Sequence, residues 1–300
     1  MIERISYGGW KNNVRMTNGK IELVATLDVG PRVIRLAEVG GANLFNEFEE
    51  QLGKSGEGDW QIRGGHRFWH APEAIPRTYI LDNYPVKCEE LGELSFRVTP
   101  AAETENGIQK EIEISMAKNE RKVTLRHRMT NIGRWEIELA PWSLSVMARG
   151  GRAIMPLSKK QPHFERPNPA YSLTFWAYTD LSDPRLRFGS KYITIDHAKA
   201  NGPSKWGMNV EAGWVAYAVN GMLFVKSFAF DAGATYPDNG CNFETYSDER
   251  IMELETLGAM RKLEPGKSLE HVETWRVFTD VPAVSNEQDI DQVVQKFIKA

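Results

Sequence analysis

The segment Ile62 to Glu73 gathers groups that could grip a polar ligand: Arg63, His66, Arg67, Trp69, His70 and Glu73. Histidines titrate near neutral pH, arginines present forked donors, and Trp69 or Phe68 offers an apolar wall. A second group lies far downstream, where Lys205 precedes Asn242, Glu244, Glu253 and Glu255. In a strand, Glu253 and Glu255 point to one face, ~6.6 Å apart along the chain. Asn242, Glu244 and Tyr246 share a face in the same way. Paired carboxylates suit general acid–base work, because partial burial lifts a carboxyl pKa toward neutrality. The wet face of an ordinary strand also carries glutamates, so periodicity alone leaves both roles open. His66 and His70 have the i, i+4 spacing that chelates a metal on a helix. Pro72 argues against a helix, and four extended residues span ~13 Å, too far for one ion. No metal is expected. The alternative for His70 and Trp69 is a place in the core with satisfied hydrogen bonds.

The elements that must position these residues read as strands. Gly64-Gly65 marks a tight turn or a close approach, leading into an extended segment. Tyr7 to Arg15 reads as polar and broken by glycine. Alternation predicts strands over 21–27 and 32–38, then a charged, Gly-rich loop over 47–60. A meander follows over 93–99, 108–116 and 122–130, with turns at Asn106-Gly107 and Lys118-Asn119-Glu120. Trp135 to Met147 is a longer apolar strand. Asn220-Gly221 suits a type I′ turn and predicts a hairpin from Gly213 to Phe230. Strands over 242–246, 251–256 and 269–278 complete the pattern. Lys205 and Trp206 read as a polar–aromatic cluster in a loop. Only the end reads helical: Ile290, Val293, Val294, Phe297 and Ile298 share a face, and Ser285 with Gln288 has the form of a capping box. The fold class is all-β, an antiparallel sandwich of large sheets formed by residues 1–300 as one domain, with a C-terminal helix over 283–300 packed on it.

Composition narrows the function. Hydrophobic residues make up 41% and aromatics 10% of 300 residues, enough for a large core with rings to spare for a cleft. Net charge is −3 and the basic residues are scattered, so a nucleic-acid partner is not expected. No run approaches the ~18 apolar residues of a membrane span, and no secretory leader opens the chain. A cytoplasmic, soluble protein is the expectation, with Cys88 and Cys241 as free thiols.

Three motifs carry a family resemblance. Val29-Gly30-Pro31-Arg32-Val33-Ile34 resembles an early strand of aldose epimerases. Gln61-Ile62-Arg63-Gly64-Gly65 resembles the Arg-Gly-Gly of hexose-6-phosphate epimerases. Leu263-Glu264-Pro265-Gly266 resembles the Leu-x-Pro-Gly before their last strand. The segments Gly65–Glu73, Tyr236–Glu244 and Glu253–Gly258 look like an uncharacterised branch of the same galactose mutarotase-like superfamily. The resemblance runs over nearly the whole chain. It implies a supersandwich of antiparallel sheets that binds a small carbohydrate in an open cleft without a cofactor.

In that superfamily a histidine protonates the ring oxygen and a late glutamate takes the anomeric proton. The glutamate matches Glu253 or Glu255. The histidine should follow Asn131, but Ala140-Pro141-Trp142-Ser143-Leu144-Ser145-Val146 has Trp or Ser there. The resemblance therefore implies an aldose 1-epimerase-type isomerase with His66 or His70 as the acid and Glu255 or Glu253 as the base. Arg63, Arg67, Trp69, Glu73, Asn242, Glu244 and Lys205 would hold the sugar. Glycoside hydrolysis or polysaccharide cleavage on the same fold, and sugar binding without chemistry, are the alternatives. Arg32, Arg63 and Arg67 would suit an acidic or phosphorylated sugar, or structural ion pairs.

Overall fold

The computed structural model describes residues 1–197 and 202–298. Among them, two antiparallel sheets of eleven and ten strands face each other. The eleven-stranded sheet opens with a meander, Ile2–Tyr7, Trp10–Thr17, Ile21–Thr26 and Arg32–Glu38. It continues through Gly65–Ala71, Ile137–Val146, Glu253–Leu257, Phe243–Ser247, Ser204–Met208 and Leu173–Phe175. The ten-stranded sheet is centred on Met222–Phe228, Ser268–Phe278, Lys122–Asn131 and Ile108–Met116.

Alternation makes the sandwich. In Ile108–Met116 every second side chain is buried, so Ile112 and Ile114 enter the core while Glu111 and Glu113 face water. Phe45, Phe224 and Trp275 meet edge to face in the core. The hairpin at Asn220-Gly221 forms as its sequence predicts, with φ of 50° and 74° at the two turn residues. Among the described residues no helix is long and apolar enough to cross a membrane, and both cysteines are free thiols.

Three expectations shift. The glycine-broken start forms a hairpin, because Gly8 and Gly9 supply the turn with positive φ and let Ile2–Tyr7 pair with Trp10–Thr17. Ser204–Met208 is a fully buried strand rather than a loop. At the C-terminus a helix runs Glu287–Val293, continues as a wider turn over Val294–Ile298, and packs its predicted apolar face on the sheet. Its cap is Asn286, which accepts from the Gln288 and Asp289 amides while Asp289 returns the bond, not the Ser285–Gln288 pair. Residues 299–300 lie outside the described residues.

Gly64 and Gly65 have no alternative. Their φ angles are +89° and +68°, and an added Cβ would lie 2.0 Å from the Asn46 carbonyl oxygen and 2.4 Å from that of Val33. This close approach delivers the chain into the Gly65–Ala71 strand at the centre of the sheet.

Behind that strand lies a buried polar network between the sheets. His127 Nδ1 donates to the His271 carbonyl at 3.1 Å, so its Nε2 accepts from His66 Nε2 at 2.8 Å. His66 Nδ1 then accepts from the Ser145 hydroxyl at 2.8 Å. The Lys226 ammonium reaches Glu273 at 3.0 Å, the Leu254 carbonyl at 3.0 Å and Ser145 Oγ at 3.2 Å. Glu273 also accepts from Trp275 Nε1 at 2.8 Å and from the Thr256 hydroxyl. Burial raises the cost of the Glu273 charge, but the Lys226 ammonium outweighs it and holds the carboxyl below its ordinary range.

Every histidine here is tuned to stay neutral. Burial pushes His127 down to about 4 and His271 to about 3, and pushes His66 well below 6.5. Burial, with Lys110 and Arg77 adding to it, takes His70 down to about 3. A histidine with its folded pKa below its unfolded pKa costs stability as pH falls beneath the unfolded value. Stability is therefore expected to drop from ~pH 6.5 downward, by up to ~1.4 kcal/mol per pH unit for each histidine, until the folded values near 3 to 4 are reached. Urea denaturation at pH 7.5 and 5.5 checks this, and equal midpoints would refute it.

Candidate functional site

The opposite face of the same strands lines an open cleft. Strand parity decides what reaches it. On Gly65–Ala71, Arg67 and Trp69 face the cleft, while His66, Phe68 and His70 turn inward. On Ile137–Val146, Trp142 and Leu144 face it, and Ser143 and Ser145 turn inward. On Glu253–Leu257 both glutamates face it. Lys205 and Tyr246, paired across neighbouring strands, complete the floor. Trp60, Glu73 and Tyr178 come from loops and Tyr79 from the short 3-10 helix Arg77–Tyr79, and they form the walls of a cavity of about 260 Å³.

The floor is an aromatic and ionic lattice. Trp69 packs against Trp60, Tyr79 and Trp142, with ring centroids 5.0 to 5.4 Å apart. The Arg67 guanidinium lies 4.4 Å above the Trp69 ring and pairs with Glu253 at 2.7 Å. The Lys205 ammonium sits 4.5 Å from the Trp142 ring and 4.7 Å from Trp176. Three carboxylates share that ammonium: Glu244 at 3.1 Å, and Glu255 and Glu73 each at 3.5 Å. Tyr79 donates its hydroxyl to Glu73.

Glu244 and Glu255 stand directly opposite each other on paired strands, where like charges repel. Gly207 makes the room, since a Cβ there would lie 2.9 Å from Glu244 Cγ. Burial raises the Glu255 pKa to about 7, with Lys205 working against the rise. Burial pushes Glu244 well above the ordinary carboxyl value, again against Lys205. Burial disfavours the Lys205 charge, but Glu255, Glu244 and Glu73 outweigh it, so the lysine stays protonated. Trp142 Nε1 donates to Glu255 Oε2 at 3.0 Å and fixes the carboxyl. Glu255 Oε1 accepts no hydrogen bond, and Trp60 Nε1 and Arg67 Nε donate none, although all are buried. Unfilled donors beside an unfilled acceptor match a ligand with many hydroxyls.

Several sequence candidates lie elsewhere. His66 is bonded to Ser145 and His127 between the sheets. His70, also inward, has Asn106 Nδ2 at 3.4 Å and Glu103 at 3.7 Å from its Nε2. One residue of parity separates both from the cleft. Arg63 is buried and spends its guanidinium on Gln51, Lys54, Glu57 and Asn83, tying down the 47–60 loop. Arg32 is likewise committed to Gln61, Ile62 and Asp82. Neither guanidinium faces the cleft. Asn242 bonds both polar backbone atoms of Val210 and serves the sheet. Phe68 packs in the core against His127. Sequence reasoning passed over Trp60, Tyr79 and Tyr178, and met Trp142 only as the residue standing where a histidine was expected. The aromatic density of 171–178 was the one usable signal, because loop residues have no period.

His66, His127 and Glu273 bring one ligand atom each within 4.8 Å of one another. The Lys226 ammonium already fills the cation's role on Glu273, and the two imidazoles are bonded to each other. This grouping works as a hydrogen-bonded network.

No protein-family model matches the sequence, and a search of curated proteins finds no match. Solved structures do match in fold. A galactose mutarotase-like protein from Lactobacillus casei superposes with a TM-score of 0.61 at 8% identity, over 89% of this chain and all of that one (100%). A galactose mutarotase-like protein from Clostridium acetobutylicum gives 0.55 at 12% identity, over 93% of this chain and 98% of that one. A TPR-domain containing protein from Parabacteroides distasonis gives 0.58 at 16% identity, over 91% of this chain and 48% of that one. The all-β architecture is thus the galactose mutarotase-like fold.

Proposed function

We propose that the cleft binds one sugar ring, free or at the end of a glycoside, and interconverts its anomers by acid–base catalysis. The observation that carries this reading is Glu255: buried, fixed by Trp142, with one oxygen that accepts no hydrogen bond, and lining an aromatic-walled cavity of about 260 Å³. The fold shared with galactose mutarotase-like proteins supports it.

In this mechanism the sugar stacks on Trp69, Trp142 or Tyr178, whose rings take the apolar face of a pyranose. Trp60 Nε1 and Arg67 Nε donate to its hydroxyls. Glu255 removes the proton from the anomeric hydroxyl. The Lys205 ammonium donates to the ring oxygen as the ring carbon–oxygen bond breaks, replacing the histidine that the resemblance called for. The aldehyde turns about its carbon–carbon bond, and the proton transfers reverse on closure. No net proton is gained or lost, and no redox cofactor is needed.

Activity in this scheme requires ionised Glu255 and charged Lys205. Exchange is therefore expected to rise as pH passes upward through about 7 and to stay level above it, since Lys205 holds its proton far beyond. Saturation-transfer NMR against a panel of monosaccharides finds the binder, and exchange spectroscopy between its anomers gives the rate. Binding without enhanced exchange at any pH would reduce the protein to a sugar-binding module.

Glycoside cleavage is a second reading, favoured by one observation. Glu244 and Glu255 stand opposite each other beside one ammonium, and burial pushes the Glu244 carboxyl well above its ordinary value. Release of a chromophore from aryl glycosides, with no anomer exchange of the free sugar, would select this reading.

A further inference from the structure

Three carboxyl groups, Glu73, Glu253 and Glu255, line the cleft, and a fourth, Glu244, reaches Lys205 from the neighbouring strand; against them stand two cations, Arg67 and Lys205. Arg67 is matched one to one by Glu253. Lys205 alone serves the other three. Arg63 and Arg32, which could have added positive charge, are bonded into loops. We propose that the site is selective for a saccharide bearing a protonated amine, and that it rejects phosphorylated and carboxylated sugars.

Glu255 is fully buried, lines the cleft, and leaves Oε1 with no partner. An ammonium there completes an ion pair that Lys205 leaves unfinished. Glu73, at the mouth with its side chain 35% exposed, offers a second carboxylate on the approach. The walls agree with a cation. Trp142 and Trp176 already flank one ammonium, that of Lys205, and Trp60, Tyr178 and Tyr246 line the rest. A phosphate or carboxylate would instead meet unpaired acidic oxygens. Burial keeps part of the Glu255 population protonated near pH 7. Binding of the ammonium favours the carboxylate, so a proton leaves to solvent as the ligand enters.

The inference rests on the sugar-binding reading, and the test separates the two. Calorimetric titrations of the full chain use glucosamine, glucose, N-acetylglucosamine, glucose 6-phosphate and glucuronate as probes. Glucosamine is expected to bind about tenfold tighter than glucose, a difference of ~1.4 kcal/mol. N-acetylglucosamine, which lacks the charge, should lose that advantage, and the two anionic sugars should bind more weakly than glucose. At pH 6, titration in two buffers of different ionisation heat should show protons released with glucosamine but not with glucose. Glu73→Gln should lower the ratio of glucosamine to glucose affinity severalfold, both sugars being titrated into the same variant. Equal affinity for glucose and glucosamine overturns the charge selection and leaves sugar binding standing. Absence of binding by every probe removes both.

Discussion

Replacing Glu255 with glutamine is expected to lower anomer exchange by ~10²- to 10⁴-fold, the range for a lost general base. The side chain is fully buried and isosteric with its replacement, and the amide oxygen can still accept from Trp142 Nε1, now at 3.0 Å from the carboxylate. The fold should therefore survive, and circular dichroism with sugar binding would show it. What disappears is the ability to take a proton. Glu253→Gln is the control, because Glu253 is bound to Arg67 at 2.7 Å and holds that guanidinium over Trp69. It should weaken binding more than it slows the bound sugar. An exchange rate in Glu255→Gln equal to that of the unaltered protein would exclude this residue as the base.

The largest expected effect on stability lies on the other side of the sheet. Removing Glu273 leaves the Lys226 ammonium fully buried with only carbonyl and hydroxyl oxygens around it. Breaking one member of a buried pair costs ~3–5 kcal/mol, because the survivor keeps its desolvation penalty. Glu273→Leu should fall in this range by urea denaturation, with a further loss where Trp275 Nε1 and the Thr256 hydroxyl lose their acceptor. The double variant Glu273→Leu with Lys226→Met removes both charges and should recover most of the loss. A double variant no more stable than the single one would mean that the hydrogen bonds, not the charge, set the cost.

Much of this architecture was legible because strand alternation is a local signal. The 108–116 strand, the Asn220-Gly221 hairpin and the glutamate pair at 253 and 255 each declare themselves within a few residues. Arg67, Trp69, Glu73 and Lys205, which line the cavity, were singled out by residue type and resemblance. What the sequence concealed was phase. Nothing in His66-Arg67-Phe68-Trp69-His70 says which parity faces the ligand, since both sets mix polar and apolar groups. The answer depends on Ser145 and His127, up to 79 residues away. Arg63 misled for a related reason: its partners come from a loop whose path has no period. Ser204–Met208 was hidden because a strand with a lysine, a glycine and a tryptophan in a row lacks alternation.

The parity of the Gly65–Ala71 strand also limits how such a protein can change over time. Losing the one codon between Gly65 and Arg67 would turn Arg67 into the dry interior, bring Phe68 to its place and swing His70 out where Trp69 stood. Both faces would fail together, since each half of the alternating pattern is committed to partners the other half cannot serve. Length changes that persist in this strand should therefore come in twos, while point replacements on either face remain independent. The strand reads as two interleaved messages sharing one frame.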